Sequence, residues 1–272
     1  IFTSIAIDLR SDSLINASDH TLAVSGILGY KSETIEAGLL TQLSQAPALD
    51  FQIFTIDGSV LAEMGPLELG LEVIGQFGGG DLESGVNDVR VATIGAATEI
   101  KVNTDPFGFQ LQAGLATGDN NLDDRTLKAF AFNSDYDLGI ILFEQAMPVL
   151  ASASADGENL GRDSDHVLLS ELISNTLYIK PTVSHSLRED LLVQVGLLAA
   201  KAAKLPEDVV GRGSYGMGLD AGLSFQANER LRAQATAAVF FPGSWFKEYS
   251  DDTLSDLDDP VLGLELAASF EF

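Results

Sequence analysis

The sequence predicts an all-β fold, a transmembrane antiparallel up-and-down β-barrel of about twelve strands, with fourteen as the alternative count. Three observations predict it. Apolar side chains alternate with small or polar ones along many segments, and the connections between these segments alternate between short and long. No apolar run reaches the ~18 residues of a membrane-spanning helix. A closed barrel is the other structure that satisfies every backbone hydrogen bond within a bilayer.

The alternation is clearest in residues 262–272, where every second residue is apolar and the residues between are small or acidic. The same pattern occurs in residues 231–241 and in 215–225, where Tyr215 begins the apolar series. A helix would distribute these side chains around its circumference, whereas a strand sorts them to two faces. We therefore predict strands near residues 1–10, 20–30, 34–44, 50–64, 67–78, 88–102, 107–117, 171–186, 191–201, 213–226, 231–241 and 261–272.

One predicted strand, 50–64, needs a kink or bulge near Gly58 to keep its apolar residues on one face. The even number of strands puts both termini on the same side of the membrane, the periplasmic side in bacterial barrels. The chain begins at Ile1 without a basic leader, so we interpret it as a mature or trimmed product.

The connections support a barrel because their lengths differ between its two ends. Short ones are expected at 31–33, 65–66, 104–106, 188–190 and 228–230, with another brief one near 44–50. Long, acidic ones are expected at 11–19, 79–87, 118–170, 202–213 and 242–260. Transmembrane barrels have short periplasmic turns and long extracellular loops. We predict a single domain, residues 1–272, in the bacterial outer membrane, with 118–170 as a long extracellular loop.

A soluble β-sandwich also has alternating strands, but its outward face meets water and carries Lys, Glu and Thr. Here the less apolar face is dominated by Gly, Ala, Ser and Gln with isolated acids. The predicted strands of roughly 10–13 residues are long for a sandwich and match a tilted bilayer crossing. Both features favour the membrane barrel.

Composition excludes several other classes. The 272 residues include 40 Asp and Glu against 15 Lys and Arg, a formal charge of -25. A nucleic-acid binder needs clustered basic residues, so nucleic acid is not expected as a partner of this acidic chain. The absence of cysteine excludes disulfide scaffolds, thiolate metal sites and Cys nucleophiles. At 46% hydrophobic residues, the chain is not intrinsically disordered.

The C-terminal string Leu264–Phe272 resembles the closing strand of Gram-negative outer-membrane proteins, which end in alternating hydrophobic residues and a terminal Phe. This resemblance implies that Phe270 and Phe272 form an assembly signal for the outer-membrane insertion machinery. It also implies outer-membrane lipid and lipopolysaccharide as surroundings. A second resemblance, to the alginate-export-like barrels, rests on residues 116–121, 177–183 and 240–243. Those exporters have more strands, so no substrate is carried over.

The polar face of the predicted barrel encloses the lumen, and its charged residues are the candidate pore lining. They are Glu68, Glu72, Glu99, Lys101, Lys180, Asp220, Arg232 and Glu265. An excess of carboxylates favours cations over anions. We therefore predict a porin-like channel for small hydrophilic solutes, cationic or neutral, or a barrel that assists polymer export. Alternatively, ion pairs close the lumen and the barrel anchors a larger envelope assembly through its 118–170 loop.

Two features of that loop suggest sites. Asp119, Asn121 and Asp123 offer oxygen ligands of the type that suits Ca²⁺, although the spacing lacks the Gly and Glu of an EF-hand. No other cofactor is expected. Residues 138–148 are too apolar for water, so they fold over the mouth or into the lumen, bind a partner, or form a further hairpin that makes fourteen strands.

An enzyme is not expected. The three histidines are His20, His166 and His185, and the first two follow an aspartate in predicted outer loops. An Asp–His pair could activate water, but neighbouring side chains rarely face one another and no third orienting group is evident. The glycines of residues 78–80 lack the Lys and helix of a phosphate-binding loop.

Overall fold

The computed structural model describes residues 1–11, 20–46, 50–81, 88–121, 124–133, 135–146, 172–205, 213–228, 230–248 and 257–270. This part of the chain is almost entirely β-structure, with one short helix, α1 (Ser244–Glu248). The strands are β1 (Phe2–Ser11), β2 (His20–Lys31), β3 (Ile35–Ala46), β4 (Phe51–Met64), β5 (Leu67–Gly80), β6 (Val89–Thr104), β7 (Phe107–Ala116), β8 (Thr126–Leu127), β9 (Thr176–Arg188), β10 (Leu191–Ala202), β11 (Ser214–Asn228), β12 (Leu231–Pro242) and β13 (Val261–Phe270).

All strands except β8 form one antiparallel up-and-down sheet in chain order. This confirms the predicted twelve-stranded wall and its alternation of short and long connections. The eighth strand lies off this path and pairs in parallel with the loop-side end of β6, where Arg90 is the partner of Thr126. Among the described residues no ladder joins β1 to β13, and the sheet is not closed.

The outer face of the sheet carries a continuous apolar surface. Side chains such as Leu71, Val73 and Met217 are about half exposed, at 50%, 45% and 51%. Side chains of the two edge strands lack a neighbour on one side, so their exposure is higher, at 81% for Ile5 of β1 and 80% for Leu262 of β13. In water such a surface would be strongly unfavourable, whereas lipid tails match it.

The helices of the described segments include none with the length and hydropathy needed to cross a membrane.

A buried core lies at the end of the sheet that carries the long connections, and it lies on the inner face. It forms because residues 128–133 and 135–146, here called the docked loop, fold back against the strands. Leu138, Ile141, Leu142 and Phe143 are each at most 4% exposed. They pack with residues of β9 to β12 and of α1, including Tyr178, Leu198, Tyr215, Phe240 and Trp245.

The sequence predicts that the apolar segment 138–148 folds over the mouth or into the lumen, binds a partner or adds a hairpin. Its described residues 138–146 fold inward and contribute no strand to the wall. Within the described residues, this segment therefore does not supply the extra hairpin of the fourteen-strand alternative. The physical reason is that the inner face near the loop end carries apolar side chains such as Leu198 and Phe240, so the segment is buried against them instead of in lipid.

The alternation predicts that Tyr215 lies on the same apolar face as the residues that follow it in 215–225, and this prediction is wrong. The ladder between β10 and β11 shifts beside it, pairing Ala200 with Gly216 but Lys201 with Ser214, so Tyr215 is an extra, bulged residue. Gly216 follows with a φ of 115°, which a side chain would strain. A bulge reverses the alternation beyond it. The Tyr215 ring thus turns inward, with 0% exposure, and lies 5.1 Å from the Trp245 ring.

The bulge predicted near Gly58 is also wrong, since the ladders from β4 to β3 and β5 run through this residue without a shift. The alternation continues, so Leu61 faces inward. It is tolerated there because its cross-strand partner is Gly70, which leaves room for the larger side chain.

Asn175 links two of the long connections. It has a φ of 45°, its Oδ1 accepts from the Lys204 amide at 2.9 Å, and its Nδ2 donates to the Lys204 carbonyl at 3.1 Å. Its own carbonyl accepts the Tyr215 hydroxyl at 2.7 Å. These bonds hold the residues before β9 beside those after β10.

Replacing Asn175 tests this link. Asn175→Ala should lower the free energy of unfolding by about 1–3 kcal/mol, because it removes two side-chain hydrogen bonds and strains the left-handed backbone. Asn175→Gly removes the same bonds without the strain and should cost less. Urea unfolding in lipid vesicles measures both. Variants that unfold at the same urea concentration as the wild type would show that the link adds nothing.

Candidate functional site

The candidate site is the polar inner face between the docked loop and the short turns. Cross-strand partners share a face, so the ladders decide which residues meet there. Glu68, Lys101 and Gln110 form one row on β5, β6 and β7, and Glu99, Gln112 and Lys180 form the next row on β6, β7 and β9. The remaining predicted positions occupy the same face: Glu72 on β5, Asp220 on β11, Arg232 on β12 and Glu265 on β13. Thus all eight predicted residues lie on one side of the sheet.

Lys101 is the centre of an ion-pair network near the short turns. Its Nζ lies 2.5 Å from Glu99 Oε2 and 3.2 Å from Glu68 Oε1. Gln110 donates a hydrogen bond from Nε2 to the other oxygen of Glu99. All four side chains lie on the inner face, and those of Lys101, Glu68 and Glu99 are about one-third exposed. One cation therefore offsets two carboxylates here.

Lys180 and Asp220 approach each other across β10. The Lys180 Nζ lies 4.0 Å from Asp220 Oδ2, and both side chains are largely buried. Gly196, between them on β10, makes this possible: a Cβ there would lie 3.3 Å from Lys180 Cε. The docked loop covers the pair, since a Cβ at Gly139 would lie 3.2 Å from the same Asp220 oxygen.

Two other carboxylates lack a basic neighbour. Asp57 and Glu72 lie diagonally on β4 and β5, where Ser59 pairs with Glu72 and Asp57 pairs with Ile74. Within the described parts of the chain, no Lys or Arg nitrogen lies within 4.0 Å of either carboxylate. By contrast, Arg232 lies near the short turns and donates from Nε to Ser224 Oγ at 3.0 Å.

The docked loop is held by aromatic side chains that fit over glycines of the wall. Phe130 is 4% exposed and lies over Gly95 so closely that a Cβ at Gly95 would overlap its ring. Tyr178 of β9 covers Gly114 in the same way, and its hydroxyl contacts that of Tyr136. Burial is the main cause that raises the pKa of Tyr136, and the carboxylates of Glu99 and Glu72 add to it.

Two cavities flank the docked loop. One, of about 470 Å³, lies between loop residues 137–145 and β13, and its lining includes Asp137, Glu144 and Glu265. The other, of about 100 Å³, lies between loop residues 130–136 and strands β5 and β6, and Glu72 lines it. The loop therefore leaves space on both sides, with three carboxylates at the larger cavity and Glu72 at the smaller one.

Sequence reasoning missed the aromatic part of the docked loop, Phe130, Phe132 and Tyr136. A signal was present: three aromatic residues within seven positions of a segment expected to be a solvated loop. Phe130 packs on Gly95 of β6, and the rings of Phe132 and Tyr136 lie near Tyr178 of β9. No local pattern connects residues so distant in the chain.

The predicted calcium ligands lie where the chain leaves β7. Asp119 is buried, and its carboxylate accepts the backbone amides of Asn121 at 3.0 Å and Lys128 at 3.2 Å. Lys128 Nζ lies 2.5 Å from Asp124, which lowers the pKa of that exposed carboxyl through the hydrogen bond. In the described segments no three His, Cys, Asp or Glu residues are grouped as a metal site. Asp123 lies outside the described residues, so calcium binding stays a prediction.

The other predicted positions lie away from the inner face or outside the described residues. His185 is on the outer face and stacks on Phe107, with ring centroids 4.5 Å apart. Phe270, one of the two assembly-signal residues, is 64% exposed on the outer face of β13. Phe272, His166 and the His20 side chain lie outside what the structure describes.

No known family and no curated protein matches the sequence. Among solved structures, the chain is similar to Pseudomonas aeruginosa OccK11 (OpdR), with a TM-score of 0.50, 10% identity, and 94% of this chain and 59% of that one covered. It is also similar to Pseudomonas aeruginosa OccK9 (OpdG), with a TM-score of 0.50, 8% identity, and 97% and 57% covered. The chain thus spans less than two thirds of the length of these two structures.

These similarities show the fold, which is that of an outer-membrane β-barrel wall. The apolar outer face and the polar inner face agree with it. The bacterial outer membrane, predicted from the sequence, is where barrels of this fold are found.

Proposed function

We propose that this chain forms the wall of a porin-like outer-membrane channel for the passive passage of small hydrophilic cations and neutral solutes. The observation that carries the proposal is the inner face itself, which stays polar and acidic opposite a continuous apolar outer face. Such a face encloses water, because charged and amide side chains without water would be strongly destabilised in a bilayer.

The docked loop and the carboxylates around it give the channel its selectivity. The loop occupies the inner face at the level where Asp57, Glu72 and Asp220 lie, so a solute passes close to these groups. Carboxylates at a narrow point raise the local concentration of cations and repel anions. Lys101 and Lys180 are each engaged by carboxylates, which leaves the acidic excess uncompensated. Passage requires no covalent step.

Planar-bilayer recording of the full protein tests this function. In a KCl gradient the reversal potential should indicate a preference for K⁺. The double variant Asp57→Asn/Glu72→Gln should move the ratio of cation to anion permeability severalfold toward one, because it removes the negative charge of the hydrogen-bonded Asp57–Glu72 pair. Glu33→Gln, in the turn between β2 and β3, removes one charge outside the channel and should leave the ratio unchanged. Absence of current, or an anion preference in the wild type, would refute the proposal.

Assistance to polymer export is a finer version of the same function, implied by the resemblance to alginate-export-like barrels. The two cavities beside the docked loop are small for a polymer chain, which favours small solutes.

The scaffold alternative depends on a docking surface in the 118–170 loop. Leu138, Ile141, Leu142 and Phe143 of that loop are buried against the wall, so they offer no docking surface to a partner.

A further inference from the structure

The smaller cavity beside the docked loop has the chemistry of a binding site. Its volume is about 100 Å³, well below the roughly 300–1,000 Å³ of pockets for drug-sized ligands. It has room for one small head group. Its wall side is formed by Glu72, Ile74 and Gly95–Ala97, and its loop side by Phe130, Phe132, Asn133 and Tyr136.

The loop side is a cluster of aromatic rings. Phe132 stacks on Tyr136 with ring centroids 4.6 Å apart, and Phe130 meets Phe132 edge to face at 5.5 Å. Tyr178 extends the cluster, with its ring 6.2 Å from that of Tyr136. The faces of such rings carry partial negative charge and attract cations within about 6 Å.

The wall side adds negative charge through a pair of hydrogen-bonded carboxyl groups, Asp57 and Glu72. Glu72 lines the cavity and Asp57 lies diagonally beside it on β4. As shown above, the described Lys and Arg side chains all lie more than 4.0 Å from both carboxylates. The neighbouring Lys101 is engaged by Glu99 and Glu68. An anion would therefore be repelled from this cavity, and a cation would be attracted.

We propose that this cavity binds the head group of an organic cation, an alkylated ammonium group, with Glu72 supplying the countercharge and the Phe132 and Tyr136 rings the apolar contact. A bare metal ion fits less well, since hard cations require several oxygen ligands. An alkylated ammonium combines positive charge with an apolar surface, which suits one carboxylate among aromatic rings. The inference rests on the proposed channel for the solute's route and makes organic cations its substrate class.

Tetramethylammonium is the probe. Isothermal titration calorimetry on the full protein in detergent should show saturable binding. The uncharged tert-butanol, similar in size and shape, should bind at least about tenfold more weakly, as expected for loss of a cation–π contact together with a countercharge. Equal affinity for the two compounds, or no saturable binding of tetramethylammonium, would overturn the proposal.

Glu72→Gln keeps the shape of the cavity and removes its charge, so it should weaken tetramethylammonium binding about tenfold. Tyr136→Leu removes one ring and should weaken it severalfold. Glu63→Gln, the same change on the same face near the turn to β5, should leave the affinity within about twofold of the wild type. Equal affinities of the Glu72→Gln and wild-type proteins would overturn the proposal even if Tyr136→Leu fails to fold.

Bilayer recording separates the two proposals. A protein that conducts K⁺ but does not bind tetramethylammonium refutes the binding site and leaves the channel. A protein that binds tetramethylammonium through Glu72 without conducting refutes the channel and leaves the binding site.

Discussion

Arginine in place of Val73 is expected to lower the free energy of unfolding by about 2–4 kcal/mol, the effect of a cationic side chain at the lipid-facing midplane of a barrel. Val73 lies at the middle of β5, is 45% exposed, and belongs to the apolar outer face. In lipid, the guanidinium would lose its hydration without gaining a partner, since the neighbouring outward side chains are apolar.

Ser59→Arg is the matched control. Ser59 lies on the adjacent strand, faces inward, and is the cross-strand partner of Glu72. An arginine there lies beside the Glu72 carboxylate and stays in water, so the free energy of unfolding should change by less than about 1 kcal/mol. Urea-induced unfolding in lipid vesicles, followed by heat-dependent gel mobility, measures both variants. Equal destabilisation by the two arginines would contradict the assignment of the two faces.

Leucine in place of Gly95 is expected to release the docked loop and to raise single-channel conductance severalfold. Gly95 faces inward on β6 and receives the ring of Phe130, which a side chain at this position would overlap. Overpacking of this kind costs about 1–3 kcal/mol. Displacing residues 128–146 relieves the overlap, because the loop is held to the wall by side-chain packing and few strand-type hydrogen bonds.

Two further variants identify the cause. Gly58→Leu places the same side chain on the outer face of β4, where a Cβ meets nothing within 4 Å, and its conductance should equal that of the wild type. Combining Gly95→Leu with Phe130→Ala gives the leucine the space of the lost ring, so conductance should return toward the wild-type value. Wild-type conductance in Gly95→Leu alone would show that this contact does not narrow the channel.

The wall of the protein could be predicted from local pattern because a strand sorts its side chains with a period of two. Alternation in β5, β12 and β13 identified the lipid-facing residues of these strands. The short turns between consecutive strands predicted the antiparallel order of the sheet. The same periodicity placed Glu68, Glu99 and Lys101 on one face. It could not show that Lys101 engages both carboxylates, since this depends on the register between β5 and β6.

Tyr215 marks the limit of that reasoning. Its position in the alternating series predicts a lipid-facing ring. Tyr215 is, however, the bulged residue before Gly216, and the bulge turns its ring inward. The bulge is stabilised by two contacts of the inward Tyr215 side chain, the ring contact with Trp245 and the hydrogen bond to the Asn175 carbonyl. Both partners lie far from Tyr215 in the sequence.

The sequence by itself determined the β-class of this chain, its two-faced strands and the acidic character of one face, since these properties repeat within a few residues. Only the tertiary structure decided where the 128–146 segment lies and which carboxylates remain without a basic partner. These outcomes depend on the contacts of Phe130 with Gly95 and of Lys180 with Gly196, and on the cavity that Glu72 shares with the aromatic rings of the loop. Such contacts join residues brought together by the sheet register, which no local periodicity records.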